Sequence, residues 1–283
     1  MKIKTLEGIL RPSTVNFAEE KHTYTHITGD LYTGCSTISG TMDKPFLAPW
    51  YAKEAIDAVR AKLPEIALLL EGEAKPETQV KLNELLDECK MSAKKKSQLA
   101  AEQGTEAHAY FEQAILATLN PELPVPELPT KNKEVMNAIV AFRKWESEFK
   151  PEYLACEEVL DSEVHKVGGK IDALANINGL SSLIDFKTSS QLSESYLIQL
   201  AGYDLMLEEM GFKPRAWMLV RCPKDGKPFE TITITNQQDQ KFYREVFLHL
   251  REAHRFMVYI ENNKKSYGKM KTDKKEKIID YNA

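Results

Sequence analysis

No apolar run in this sequence approaches the roughly 18 residues that a membrane-spanning helix needs, and the stretch MKIKTLEGIL lacks the apolar block of a secretory signal, so a cytoplasmic protein with no membrane partner is expected. Cysteine is scarce and scattered. Cys35, Cys89, Cys156 and Cys222 form no CxxC pair and show no close spacing, which argues against a zinc ribbon or a disulfide framework and for reduced, buried thiols. Extreme charge is missing too: the formal net charge of −4 rules out a wholly basic nucleic-acid coat. Hydrophobic residues at 42% and charged residues at 28% exclude a disordered chain, and there is no internal repeat.

What is present suits an ordinary globular protein. The 283 residues allow one large domain or a core with an added lobe. An amino-terminal arm and helical region over 1–95 and a core over 96–283 are expected. Lysines are uneven, with Lys90, Lys94, Lys95 and Lys96 in one cluster and seven between Lys264 and Lys277. Either cluster reads as a solvated helix face or tail, or as a strip for phosphates.

Residues 1–47 are rich in Thr, Gly, Ser and Pro, which suits hairpins or an irregular arm. Apolar residues recurring at three and four predict helices from Pro49 to Leu63 and, with breaks, from Glu77 to Leu119. The proline-rich segment Asn120 to Pro129 is a loop, because proline lacks a backbone donor. A helix follows over Lys133 to Phe149. Tyr153 to Leu160, Gly168 to Ile177 and Leu180 to Phe186 then predict a three-stranded meander. Ser193 caps another helix that Gly211 closes. Two strands, Ala216 to Val220 and Phe229 to Ile234, precede a last helix from Gln238 to Tyr259 with Phe242, Val246, Leu250 and Phe256 inward.

The chemistry lies in Gly168-Gly169-Lys170-Ile171-Asp172 and, thirteen residues on, Asp185-Phe186-Lys187. Strand side chains alternate, so Asp185 and Lys187 share a face while Phe186 enters the core. Asp172 ends the preceding strand of a hairpin, whose register brings the two carboxylates near each other. Two such groups repel unless a cation sits between them, and hard oxygen donors suit Mg²⁺ or Mn²⁺. A metal of this kind serves phosphodiester hydrolysis, with Lys187 either orienting the attacking water or neutralising transition-state charge. An isolated D-x-K tripeptide, by contrast, reads as a surface salt bridge. Two further features bear on the choice: His108, in Gly104-Thr105-Glu106-Ala107-His108, and the helical pair Gln199 and Tyr203. Each alone reads as packing.

In order, G-T-x-x-H, the acidic Glu157-Glu158, G-x-x-D, D-x-K and Q-x-x-x-Y resemble the PD-(D/E)xK nuclease superfamily over about residues 100–235, and more narrowly its RecB-type exonuclease branch. Within that branch the phage and mitochondrial genome-maintenance exonucleases are the nearest match. Ser36-Thr37-Ile38 followed by Trp50 is similar to their amino-terminal pattern. The resemblance implies an α/β (α+β), restriction-endonuclease-like αβββαβ core, with a mixed central sheet flanked by helices and a mainly helical amino-terminal region. It implies a metal-dependent DNA exonuclease of recombination, repair or phage DNA processing, working on single- or double-stranded DNA with an end, with a recombination or single-strand-binding partner. His108, Asp172, Asp185 and the backbone carbonyl of Phe186 would hold the metal. Lys187 would serve the water, Gln199 and Tyr203 would steady the site and touch the strand, and Glu158, rather than Glu157, would fill the acidic strand position. The proline of the family name is absent before Asp172, and without clustered carboxy-terminal cysteines no iron-sulfur cluster is expected. A structure-specific or restriction-like endonuclease, or a non-catalytic nucleic-acid-binding protein, stands as the alternative.

Overall fold

The computed structural model describes residues 10–42, 44–71, 75–128 and 132–263, so the run from Lys264 to Lys277 lies outside the described residues. Three short strands, β1 (Val15–Ala18), β2 (Thr23–His26) and β3 (Leu31–Gly34), lead into a brief helix α1 (Cys35–Ser39). Then come α2 (Leu47–Leu70), α3 (Pro76–Lys90), α4 (Ser92–Leu119) and α5 (Lys133–Phe149). The remainder is β4 (Glu152–Cys156), β5 (Val159–Ser162), β6 (Val167–Lys170), β7 (Ala173–Ile177), β8 (Leu180–Lys187), α6 (Glu194–Glu209), β9 (Ala216–Arg221), β10 (Glu230–Ile234) and α7 (Gln237–Asn263).

The expected αβββαβ order is present, with one modification that shapes the site. The first two strands of the meander each break in the middle, after Cys156 and after Lys170. Glu157 takes a left-handed backbone (φ 57°) there. Two hydrogen bonds hold the pair together across the break, from Glu157 N–H to the Asp172 carbonyl (3.2 Å) and from Ile171 N–H to the Glu158 carbonyl (3.1 Å). One half, β5–β6, joins the sheet β1-β2-β3-β6-β5, while the other half, β4 and β7, joins β10-β9-β8-β7-β4. Both sheets are mixed, since β3 runs parallel to β6 and β8 parallel to β9.

Helices cover both faces of the second sheet. On one face Phe111 of α4 and Phe142 and Trp145 of α5 surround Phe186, with ring centroids 5.1–5.6 Å from it. On the other, Leu183, Trp217 and Leu219 meet α6, whose buried residues run almost around its circumference because α1, α7 and both sheets enclose it. α5 begins where Asn132 Oδ1 accepts from the backbone of Glu134 and Val135, and α6 where Ser193 accepts from Ser195, as short polar caps do. Gly202 allows this crowding: a Cβ there would stand 2.5 Å from both Cys35 Sγ and Phe247.

Two expectations need correction. In α7, Phe242 and Phe256 are exposed, and Phe247 makes the buried contact beside Val246 and Leu250. The step from Leu250 to Phe256 is six residues, which turns Phe256 to the far side of a 3.6-residue helix. α2 also runs past its expected end, because Pro64 sits inside it. α2 and α3 pack on each other and on α4, burying only Glu54 and Cys89 of their own residues.

The amino-terminal segment is sewn to the core. Arg11 donates to both carboxylate oxygens of the fully buried Asp161 (3.2 and 2.9 Å), and the Thr14 N–H and the Ser13 and Thr14 hydroxyls donate to it as well. Burial opposes the charge on Asp161, but these donors outweigh it and hold its pKa below the usual value. A carboxylate of depressed pKa contributes stability above its unfolded pKa of about 3.9 and loses that contribution as pH falls through the folded value. Asp161→Asn is expected to cost about 1.5–3 kcal/mol at pH 7 and to flatten the acid limb of the stability profile below pH of about 4; urea titrations at pH 7 and pH 3 read both.

Candidate active site

The break in the hairpin opens a cavity of about 800 Å³ between α4, α6, the end of β8 and the β1–β2 hairpin. Glycines bring these walls together. A Cβ on Gly104 would lie 3.1 Å from Thr188 Oγ1, so its absence lets α4 close on the end of β8. A Cβ on Gly169 would stand 2.7 Å from Tyr203 Cε1 and from Met206 Cε, so glycine is what allows α6 to cross β6. His108, Asp172, Asp185, Lys187, Gln199 and Tyr203 all line this one cavity.

Sheet register sets the acids. β7 pairs with β8 as Ala173↔Ile184, and one further antiparallel step sets Asp172 opposite Asp185. Asp172 therefore sits at the kink between β6 and β7. Its Oδ2 accepts from Phe186 N–H at 2.6 Å and lies 3.8 Å from His108 Nδ1. Lys187 Nζ forms an ion pair with the buried Asp185 Oδ2 at 2.7 Å. The Phe186 side chain points the other way, into the aromatic cluster, and only its backbone meets the carboxylates.

Two acids thus share one ammonium. Burial raises Asp185 to a pKa of about 6, with Lys187 opposing and Asp172 adding to the rise. Asp172 is raised as well, chiefly by burial. Burial works against the charge on Lys187, but Asp185 and Asp172 together prevail and raise its pKa, so near neutrality it is an ammonium and no base. Although the His108 side chain keeps 32% of its surface open to the cavity, protein crowds it closely. Desolvation, aided by Lys187, lowers its pKa to about 4. It is neutral near pH 7, so one ring nitrogen carries a lone pair that can ligate. Gln199 Nε2 donates to Tyr203 Oη at 2.6 Å, and the Gln199 carbonyl accepts from Cys35 Sγ at 3.3 Å, which ties α6 to α1 beside the acids.

The acidic strand position differs from the expectation. Glu157 lines the cavity and Glu158 does not. Glu157 has a left-handed backbone at the break, which interrupts strand alternation there. Burial, then Asp172, raise Glu157 to a pKa of about 7, and Lys170 pairs with it and with Glu19. Sequence reasoning also passed over Lys224 and the aromatic pair Phe17 and Tyr24, stacked with centroids 4.7 Å apart, which line the same cavity. No motif marks them, since they arrive from elements far off along the chain.

These side chains fit a hard divalent cation: two buried carboxylates of raised pKa beside a neutral imidazole. Among the described residues no group of three or more His, Cys, Asp or Glu is arranged to hold a metal ion by itself. Mg²⁺ commonly takes one or two carboxylates and fills its remaining positions with water and substrate phosphate.

A family model described as the PD-(D/E)XK nuclease superfamily matches residues 80–266. Among solved structures, SSO0001 is 18% identical over 41% of this chain and 59% of its own, with a TM-score of 0.26, so the chain spans under two thirds of that protein. A candidate exonuclease from Eubacterium rectale is 16% identical over 57% of this chain and 68% of its own, TM-score 0.39. An alkaline exonuclease from Laribacter hongkongensis is 12% identical over 55% and 84%, TM-score 0.30. No curated protein matches the chain.

Because Asp185 is raised to about 6, its ionisation in the metal-free protein weakens the fold: stability is full below the unfolded pKa of about 3.9 and falls as pH rises through 6. Asp185→Asn leaves one buried acid against one ammonium. In EDTA at pH 8 it is expected to be more stable than wild type by about 1–3 kcal/mol, the gain vanishing near pH 4; urea unfolding across this range would refute the imbalance if the variant were the weaker at pH 8.

Proposed function

The chain belongs to the PD-(D/E)XK nuclease superfamily, and from that premise we propose that it is a DNA exonuclease dependent on Mg²⁺ or Mn²⁺, hydrolysing phosphodiester bonds from DNA ends. The observation that carries this reading is the pair of buried carboxylates, Asp172 opposite Asp185, beside the Lys187 ammonium. A stable fold has no use for an acid pair short of one positive charge; a cation-dependent hydrolase has.

When bound, the ion acts as a Lewis acid on the phosphoryl oxygen and makes water more acidic. The chain's own groups supply the rest. Asp172 and Asp185, with neutral His108, would hold the cation, and the Phe186 N–H fixes the Asp172 carboxylate. Lys187, charged and steadied over the Tyr196 ring at 5.0 Å, orients the attacking water and offsets charge on the phosphoryl oxygens as the new P–O bond forms and the ester P–O bond breaks. Gln199 and Tyr203 brace α6 against the acids through their mutual hydrogen bond and offer polar groups to the strand. Glu157 takes the acidic strand position in place of Glu158.

The requirement for an end, and a role in recombination, repair or phage DNA processing alongside a recombination or single-strand-binding partner, rest on the ordered motifs of the RecB-type branch. Asp185→Ala and Lys187→Ala are each expected to lower metal-dependent hydrolysis of labelled linear DNA by roughly a hundredfold or more. Wild-type activity in both variants would remove the site. Covalently closed circular DNA is expected to survive; its cutting at the rate of linear DNA would make the enzyme an endonuclease.

A further inference from the structure

The cavity contains three lysines, and their surroundings differ. Lys187 is held by Asp185, and Lys170 by Glu157 and Glu19. Lys224 lines the same cavity, and none of its ion pairs is with a carboxylate among the described residues; its Nζ donates to the Ala100 carbonyl at 2.6 Å. The backbone beneath it is built to stay in place. Asn137 of α5 donates to the Lys224 carbonyl at 2.8 Å, and the Cys222 N–H donates to the Lys187 carbonyl at 2.7 Å, so the loop after β9 is tied both to α5 and to the end of β8. Burial lowers the Lys224 pKa, with Glu134 opposing the shift.

Ala100 lies eight residues before His108 on α4, about 12 Å along a helix axis. Ala101 and Gly104 line the cavity between them, small enough for a strand to lie close against the helix. The same helical face, stepping by three and four from His108 through Gly104, Ala101 and Ser97, reaches Lys94, which is exposed. Lys95 and Lys96, by contrast, face Glu88 and Glu54. Lys94 is about 21 Å from His108 along the axis.

We propose that Lys224, from the loop after β9, and Lys94, on α4, form a phosphate track along α4, which grips the backbone of a polynucleotide strand outside the reacting phosphate and leads it to the acids. The proposal rests on the reading of the cavity as a phosphodiester site and adds to it the path of the strand. Lys224 is the inner contact, already facing the cavity and free to exchange the Ala100 carbonyl for a phosphate oxygen. Lys94 is the outer one. On that face Ser97 lies between Lys94 and Ala100, and Ala101 and Gly104 continue it, uncharged, to His108.

Binding of a fluorescent twelve-nucleotide oligothymidylate, followed by anisotropy in EDTA so that no turnover occurs, tests this over a series of salt concentrations. Lys224→Met and Lys94→Met are each expected to weaken binding roughly three- to tenfold and to reduce the slope of log K against log salt by about 0.7, one phosphate contact on a single strand. Lys224→Arg should retain wild-type affinity and slope. Lys227→Met removes a cation of the same loop that pairs with Asp225 outside the cavity, and should change neither. The track is overturned if either lysine variant binds like wild type, if Lys227→Met loses as much, or if Lys224→Arg falls as far as Lys224→Met, which would make Lys224 a packing residue. A failure of the nuclease reading shows separately, as absence of metal-dependent hydrolysis by the wild-type protein, and leaves the binding result readable.

Discussion

One two-stranded hairpin has to serve two sheets, and the kink that this requires is the constraint on which the site depends. β5 and β6 continue β4 and β7 in sequence but pair in another sheet, and the chain turns at Glu157 and at Ile171–Asp172. A straight hairpin would bury Asp172 within a ladder or point it to solvent. Bent, it holds Asp172 opposite Asp185 at the mouth of the space between the diverging sheets, with two backbone hydrogen bonds securing the bend. The glycines at 168 and 169 belong to the same construction, since Tyr24 and Tyr203 occupy the places their side chains would take.

From this geometry follows an electrostatic tension within a well-packed fold. Phe186 anchors β8 in an aromatic cluster on one side, and its neighbours Asp185 and Lys187 are thereby forced to the other, where water is scarce. Burial raises both acids, and a single ammonium answers them. The rigid core thus holds together like charges that would otherwise move apart.

Much of the architecture was legible because it follows from local pattern. Asn132, Ser193 and the apolar spacing of α5 and α6 mark helices whose ends agree with expectation to within a residue or two. D-x-K alternation correctly puts Phe186 and Asp185 on opposite faces. What failed was whatever depends on a long-range event. The strand breaks are imposed by a second sheet, so no residue announces them, and Glu157 against Glu158 was decided by a backbone angle. Lys224, Phe17 and Tyr24 reach the cavity through tertiary packing alone. α7 misled through a six-residue step that looks apolar but does not keep helical period.

The parallel pairing of β3 with β6, Thr33 beside Val167, has a consequence for biosynthesis. Residues made early must wait for a strand that leaves the ribosome much later, and contacts of such sequence separation are slow to form. The wall of the cavity that carries Phe17 and Tyr24 closes only once the acid-bearing hairpin exists to receive it. A nascent chain therefore holds its amino-terminal segment in reserve, and the mature enclosure is a late product of folding rather than a scaffold on which the remainder is laid.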